Sequence, residues 1–318
     1  MKRAIVVGSA GQDGRLLCER LERDGVRVAG LDLAHARLPD GGEAPAVDIL
    51  DRSAVRALVA SVRPDAVYYL AAYHAPAEER GIGADLDLLE ASHRVHVVGL
   101  LHFLEALRVE SPAASLFYAA SSLVFGEPGT ALQDETTPLA PLSAYGITKA
   151  CGTLCCRLYR REHGLRASVG ILYNHESPWR RPGFVSRKIV DAAVAIRGGA
   201  AERLVLADLS ARVDWGYAPD FVDAMVRIAA LGEPGDFVVA TGAARSVQEF
   251  VEVAFGLAGL EWRRHVVEDR SLVVRPSPTL VGDARKLRSA TGWAPTVSFE
   301  EMVGILVRAA LARAGQGE

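Results

Sequence analysis

Short apolar runs alternate with amphipathic stretches through the first half of the chain. Residues 2–7, 26–31, 66–70, 115–119 and 166–172 are rich in Val, Ile, Leu, Ala and Tyr, the composition and length of strands buried on both faces. Between them, 15–23, 51–61, 86–108 and 143–163 carry apolar positions at helical spacing, as Leu16, Leu17 and Leu21 do in the first. That alternation predicts an α/β chain, a doubly wound parallel sheet covered by helices on both faces. After residue 173 the pattern loosens. The polar stretch NHESPWRRPG at 174–183 reads as a loop, 183–198 as a helix, 236–240 as a strand returning to the main sheet, and 299–314 as an amphipathic last helix. The expected division is a larger domain at 1–173, to which 211–245 returns, and a smaller C-terminal α/β lobe at 174–210 and 246–318.

Composition narrows the classes. The 318 residues are 50% hydrophobic, enough for one large and one small core. A net charge of -3 without basic runs gives no footing to nucleic acid as a partner. No apolar stretch reaches the roughly 18 residues a membrane span needs. AIVVG at 4–8 is too short for a signal peptide, so a cytoplasmic location is the default expectation. Cys18, Cys151, Cys155 and Cys156 lack both metal-site pairing and the layout of a secreted disulfide framework, and read as helix packing. His93 and His96 stand three apart on a helix with no third ligand evident, so no metal is expected.

Candidate chemistry begins at GSAGQDG, residues 8–14, directly after the first strand. Gly8 permits a tight turn, Gly11 lets backbone approach a pyrophosphate at the helix N-terminus, and Gly14 allows close packing behind it. Gln12 and Asp13, between the last two glycines, belong to the same candidate cofactor site. Asp32, at the end of the second strand, is placed to accept hydrogen bonds from an adenosine ribose and to repel a 2'-phosphate. That favours NAD, with NADP the alternative. Asp48 is placed either to meet the adenine amino group or to act as a plain surface turn. Leu70, Ala71 and Ala72 end the next strand with small side chains that let backbone pass beneath a nicotinamide ribose.

Tyr145 and Lys149 are four apart and share a helix face. A phenol near pKa 10 is a poor base at neutral pH, and a neighbouring ammonium makes it usable in proton transfer. Ser121, at a strand end, supplies a hydroxyl to the same substrate oxygen. The three fit hydride exchange between a secondary alcohol and a nicotinamide ring.

The chain resembles the extended short-chain dehydrogenases/reductases, and among them the GDP-mannose 4,6-dehydratases. The likeness is carried by GSAGQDG at 8–14, YGITK at 145–149, GILYNHESPWRR at 170–181, FVSRKI at 184–189, RVDWGYAPDFVDAM at 212–225, VVATG at 238–242, SVQEFVEVAF at 246–255 and GWAPTVSFEEMV at 292–303. The resemblance implies a Rossmann-type domain holding NAD or NADP, a lobe binding a nucleotide-diphosphate sugar, and a homodimer or dimer of dimers built through a helix pair. It also implies substrate contacts at His74, Ser122, Leu123, Asn174, Arg187, Lys188, Arg212 and Arg275. A solvated arginine is the alternative for Arg275. Pro278 stands where the family carries an acid that holds the nucleotide ribose, which leaves the nucleotide base open. His175, Glu176, Trp179, Arg180 and Arg181 are expected to shape the loop or reach a neighbouring subunit.

One departure bears on the reaction. In YAASSLVFG at 118–126, these dehydratases carry threonine at the position of Ser121 and glutamate at that of Leu123. Ser121 keeps a hydroxyl, but Leu123 cannot remove the proton from the sugar's fifth carbon, a step that eliminating the 6-hydroxyl requires. The expectation is therefore epimerisation at the fourth carbon through a transient ketone. Reduction of a 4-keto-6-deoxy sugar nucleotide is the alternative. Dehydration with a base relocated to His74 or Glu135 comes behind both, with a non-catalytic nucleotide-binding regulator as a reading of another class.

Overall fold

The computed structural model describes residues 2–33, 36–37, 43–44, 46–73, 84–273 and 278–315. Strand β1 (Arg3–Val7) is apolar along nearly its whole length because it lies inside a sheet, with β2 (Arg27–Leu31) on one side and β5 (Ala66–Tyr69) on the other. The short strands β3 (Ala36–Arg37) and β4 (Glu43–Ala44) extend that sheet antiparallel beyond β2. On the far side follow β6 (Ser115–Ser121), β7 (Arg166–Leu172) and β11 (Asp236–Val239), all parallel. Among the described residues the order is β11-β7-β6-β5-β1-β2-β3-β4. This is the doubly wound parallel sheet of the Rossmann type, and the expected return of residues 236–240 to it is realised in β11.

The helices are α1 (Gln12–Arg23), α2 (Arg52–Val62), α3 (Ala84–His93), α4 (Leu100–Glu110) and α5 (Ala144–His163), then α6 (Val185–Arg197) and α7 (Ala218–Ala230). The single helix expected over 86–108 is broken. A π-helical segment, Arg94–Gly99, separates α3 from α4. Gly99 sits so close to the sheet that a Cβ would strike the Tyr69 hydroxyl. Two phenols serve the widened turn: Tyr69 donates to the Val95 carbonyl at 2.5 Å and Tyr118 to that of His96 at 3.5 Å.

The remaining elements are β8 (Asn174–Glu176), β9 (Leu204–Leu206), β10 (Arg212–Tyr217), β12 (Ala244–Ser246), α8 (Val247–Leu257), β13 (Val266–Glu268), α9 (Arg285–Thr291) and α10 (Phe299–Ala314). Residues 174–176, read from sequence as loop, form a strand because β10 pairs with them in parallel while β12 closes its other edge. The stretch 211–245 is thus divided: β10 and β12 sit in this small sheet, while β11 joins the large one. Helix α7 buries Phe221, Val222, Ala224 and Met225 in the larger core. A second core gathers α6, α8 and α10 around Trp215, Phe250 and Phe255. Asp214, buried in β10, fastens the two parts by accepting from the backbone of Thr241 at 3.0 Å, Gly242 at 3.0 Å and Gly282 at 3.2 Å. No helix among the described residues is long and apolar enough to cross a membrane.

Candidate active site

The glycine turn is built by close approach. Gly8 has φ +90°, and a Cβ there would lie 2.9 Å from the Ala71 nitrogen. The Leu70–Ala72 strand end therefore sits directly against the turn. A Cβ on Gly14 would strike the Gly8 carbonyl, so α1 presses onto the turn itself. Gly11 is different: a Cβ there would meet no atom nearer than the Gly8 carbonyl oxygen at 3.3 Å. It opens α1 with no side-chain cap, which leaves the helix N-terminal amides and dipole to an anionic ligand. Asp32 is fixed beside this turn, Oδ2 accepting from Ala10 N at 2.9 Å and Oδ1 from Leu33 N at 2.8 Å. These residues fit a dinucleotide, whose pyrophosphate Gly11 would receive and whose ribose Asp32 would hold. Asp48 is exposed and accepts from Leu50 N at 2.9 Å, the geometry of its surface-turn alternative.

The side chains of Gln12 and Asp13, expected at the cofactor site, engage β8 and the loop behind it. Gln12 donates to the His175 carbonyl at 3.1 Å and accepts from the Ser177 hydroxyl at 2.9 Å. Asp13 Oδ2 lies 2.9 Å from His175 Nε2, and His175 Nδ1 lies 2.6 Å from the Tyr173 carbonyl. Burial alone would push the Asp13 carboxyl up, but the charge and hydrogen bond of His175, with Gln12 and Arg180, hold it below its usual range. Burial also opposes charge on His175, yet Asp13 holds that imidazole above its ordinary value. Each group favours the charged form of the other, and the pair joins α1 to the 174–181 segment.

Ser121 ends β6, where its hydroxyl accepts from Leu123 N at 3.3 Å. Ser122 is buried and Leu123 is 40% exposed. A Cβ on Gly146 would come within 2.5 Å of the Leu123 carbonyl oxygen, so residue 123 abuts α5 one position beyond Tyr145. Ser143 caps that helix by accepting from Gly146 N at 3.1 Å. Lys149, only 1% exposed, donates to the Ala119 carbonyl at 2.8 Å, and its nitrogen lies 5.6 Å from the centre of the Tyr145 ring. From sequence, the ammonium is expected to draw the phenol's pKa down. Burial dominates instead, pushing Tyr145 up to about 12 and Lys149 down to about 7. The phenol is therefore the proton-donating form at neutral pH, and the lysine is poised to exchange a proton there.

His96, read from sequence as a surface or core histidine, is fully buried, 5.1 Å from Tyr145 ring to ring and nearly perpendicular to it. No group of three metal-ligating side chains occurs among the described residues.

The expected substrate residues are placed as follows. Asn174 is exposed at the start of β8. Arg187 binds its own neighbourhood, Asp191 at 2.6 Å and the Pro178 and Arg180 carbonyls at 3.3 and 3.2 Å. Lys188 follows it, half-buried. Arg212 donates to the Ala244 carbonyl at 2.7 Å. His74 and Arg275 lie outside the described residues. Glu135, the other candidate for a relocated base, accepts from Val238 N at 2.7 Å on the β11 edge.

Residues 5–306 match the family described as GDP-mannose 4,6 dehydratase. GDP-mannose 4,6 dehydratase 1 of Arabidopsis thaliana is 36% identical, over 96% of this chain and 89% of that protein. Among solved structures, RMD from Pseudomonas aeruginosa complexed with NADPH superposes with a TM-score of 0.83 at 22% identity, covering 98% of this chain and 100% of that one. UDP-glucose 4-epimerase of Thermus thermophilus, in complex with NAD, gives 0.79 at 24% identity, over 97% of this chain and 98% of that one. At those identities the structures speak for the fold, and the sequence match speaks for the family. The chain belongs to the GDP-mannose 4,6 dehydratase family of extended short-chain dehydrogenases/reductases.

Proposed function

We propose that this chain is an NAD-dependent oxidoreductase acting at the fourth carbon of a nucleotide-diphosphate hexose, and that it works as a 4-epimerase. The observation that carries the reading is Leu123. Its place is set by backbone contact with Gly146 and by its bond to Ser121, beside the reactive tyrosine, and it offers no group to take a proton from the fifth carbon. Losing a positioned base lowers a rate roughly a hundred- to ten-thousand-fold. Glu135 is engaged at the sheet edge, which speaks against it as a replacement.

The dinucleotide, when bound, supplies reversible two-electron exchange with the sugar. Everything else falls to side chains. Ser121 orients the 4-oxygen. On oxidation the proton of the 4-hydroxyl passes to Tyr145 as the phenol proton passes on toward Lys149, whose pKa of about 7 lets it accept, and on reduction both return. The 4-keto sugar then turns over within the lobe and is reduced on its other face. Asp32, fixed beside the turn, favours NAD over a 2'-phosphorylated dinucleotide, which suits an enzyme that regenerates its own cofactor.

Net reduction of a 4-keto-6-deoxy sugar nucleotide is the second reading, since it needs Ser121, Tyr145, Lys149 and the dinucleotide but no base at the fifth carbon. Supplying such a ketone with NADH or NADPH and following absorbance at their shared band separates the two. Epimerisation leaves the reduced dinucleotide unconsumed across many turnovers, and stoichiometric consumption sinks it.

The active form is a homodimer in the cytoplasm. Ile147, Leu154 and Leu158 are 47%, 54% and 45% exposed on one face of α5, with Cys151 and Cys155 between them. An apolar stripe of that length on a single chain supports a helix-to-helix contact with a second copy.

A further inference from the structure

His96 is a titratable side chain, fully buried, inside the one turn of its helix that departs from α geometry. Short π segments are uncommon and recur at functional sites. This one turns His96 toward two partners from different parts of the chain. Nε2 lies 3.0 Å from the backbone nitrogen of Tyr73, just past the strand end that abuts the glycine turn. Nδ1 lies 2.8 Å from the hydroxyl of Thr148, on the helix that carries Tyr145.

The proton positions follow from these partners. An amide N–H only donates, so Nε2 accepts from Tyr73. The Thr148 hydroxyl reaches the Ala144 carbonyl at 3.0 Å and the Tyr145 carbonyl at 3.1 Å. Its single proton serves those carbonyls, and its oxygen accepts from His96 Nδ1–H. Both ends require the same neutral tautomer. The ring so fixed stands perpendicular to the Tyr145 phenol, with centroids 5.1 Å apart and interplanar angle 86°, a favoured aromatic geometry.

We propose that His96, as the neutral Nδ1–H imidazole, is a positioning residue that sets the phenol of Tyr145 relative to the Leu70–Tyr73 strand end. It ties the helix bearing the proton-transfer group to the segment that lines the dinucleotide turn, and it walls one side of the phenol ring. The proposal rests on the reading of Tyr145 as the proton-transfer group, since only then does its orientation bear on rate.

The test is a spectroscopic readout of the phenol that needs no substrate. Protein carrying 13Cζ-tyrosine is compared with Tyr145→Phe to assign the Tyr145 line. In His96→Leu that line is expected to shift or split. His96→Asn, whose amide reaches the Nδ1 place and donates to Thr148 but loses the bond from Tyr73 N, is expected to move the line less than the leucine does. Thr148→Val, which keeps volume and removes one hydroxyl, moves the line in the direction of His96→Leu and covers the case that the leucine variant fails to fold. A Tyr145 line that stays at its wild-type position in Thr148→Val and in folded His96→Leu overturns the proposal. Kinetics on a sugar nucleotide that is turned over give a second arm. His96→Leu lowers kcat about ten- to a hundredfold with KM within about threefold, as misplacing a reacting group does, and adds nothing in a Tyr145→Phe background. Should Tyr145→Phe itself leave turnover intact, the functional reading fails while the spectroscopic arm still decides the positioning.

Discussion

Nε2 of His175, in a strand of the smaller sheet, sits 2.9 Å from Oδ2 of Asp13, in the first turn of the helix behind the glycine turn. His175 is held above its ordinary 6.5, so its contribution to stability is complete below that pH and fades as pH rises through the folded value. Asp13 is held below its ordinary 3.8, so its contribution is complete above that pH and fades as pH falls through the folded value. Both are in force between pH 3.8 and 6.5. Asp13→Asn should therefore destabilise by about 3 kcal/mol in that window, the scale for removing one partner of a buried pair, and by less well above it. Urea unfolding at pH 5 and pH 9 measures the difference.

Lys149 makes the opposite prediction. Burial depresses its pKa to about 7 from 10.5, so the folded state sheds a proton that the unfolded chain retains between those values. Stability attached to this group is complete above pH 10.5 and is lost as pH falls through about 7. Lys149→Met should raise the melting temperature at pH 6.5, on the order of a few kcal/mol in stability. The gain should shrink as pH climbs toward 10. The same variant should lose turnover by at least a hundredfold. Differential scanning at a series of pH values reads the first effect and an initial-rate assay the second.

Leu123→Glu places a carboxylate where the family resemblance carries one. Because Leu123 is 40% exposed and its backbone is fixed by Ser121 and Gly146, the substitution should leave the fold intact. It should introduce exchange of the proton at the sugar's fifth carbon. Proton NMR in deuterated buffer detects that exchange, which is absent in the unsubstituted chain.

The apolar face of α5 predicts a molecule of twice the single-chain mass by light scattering. Leu154→Glu with Leu158→Lys should halve it, while the circular dichroism spectrum stays the same.

Much of this is legible in the chain, and the failures have a common form. The strand–helix alternation, the glycine turn and the Tyr145–Lys149 pair are local patterns with a fixed period or spacing, and the structure contains each of them. The unbroken helix expected over 86–108 is not there. What breaks it at Arg94–Gly99 is Tyr69 and Tyr118 entering from two other strands, and no periodicity in the helix itself records that. Gln12 and Asp13 are picked out from sequence as cofactor residues, but their bonds to His175 and Ser177 are not, because those partners lie more than 160 residues away. The pKa expectation for Tyr145 takes account of the neighbouring ammonium and not of the burial both groups share. Residues 174–176 look like loop because a three-residue polar strand has no signal until β10 is beside it.

The most direct trial of the account is to incubate the protein and NAD with UDP-glucose and with GDP-mannose in deuterium oxide and follow the sugar ring by NMR. Inversion at the fourth carbon, with the carbon-bound protons at the fourth, fifth and sixth positions retained, is the predicted result. Deuterium at the fifth carbon, with loss of the 6-hydroxyl, would contradict it.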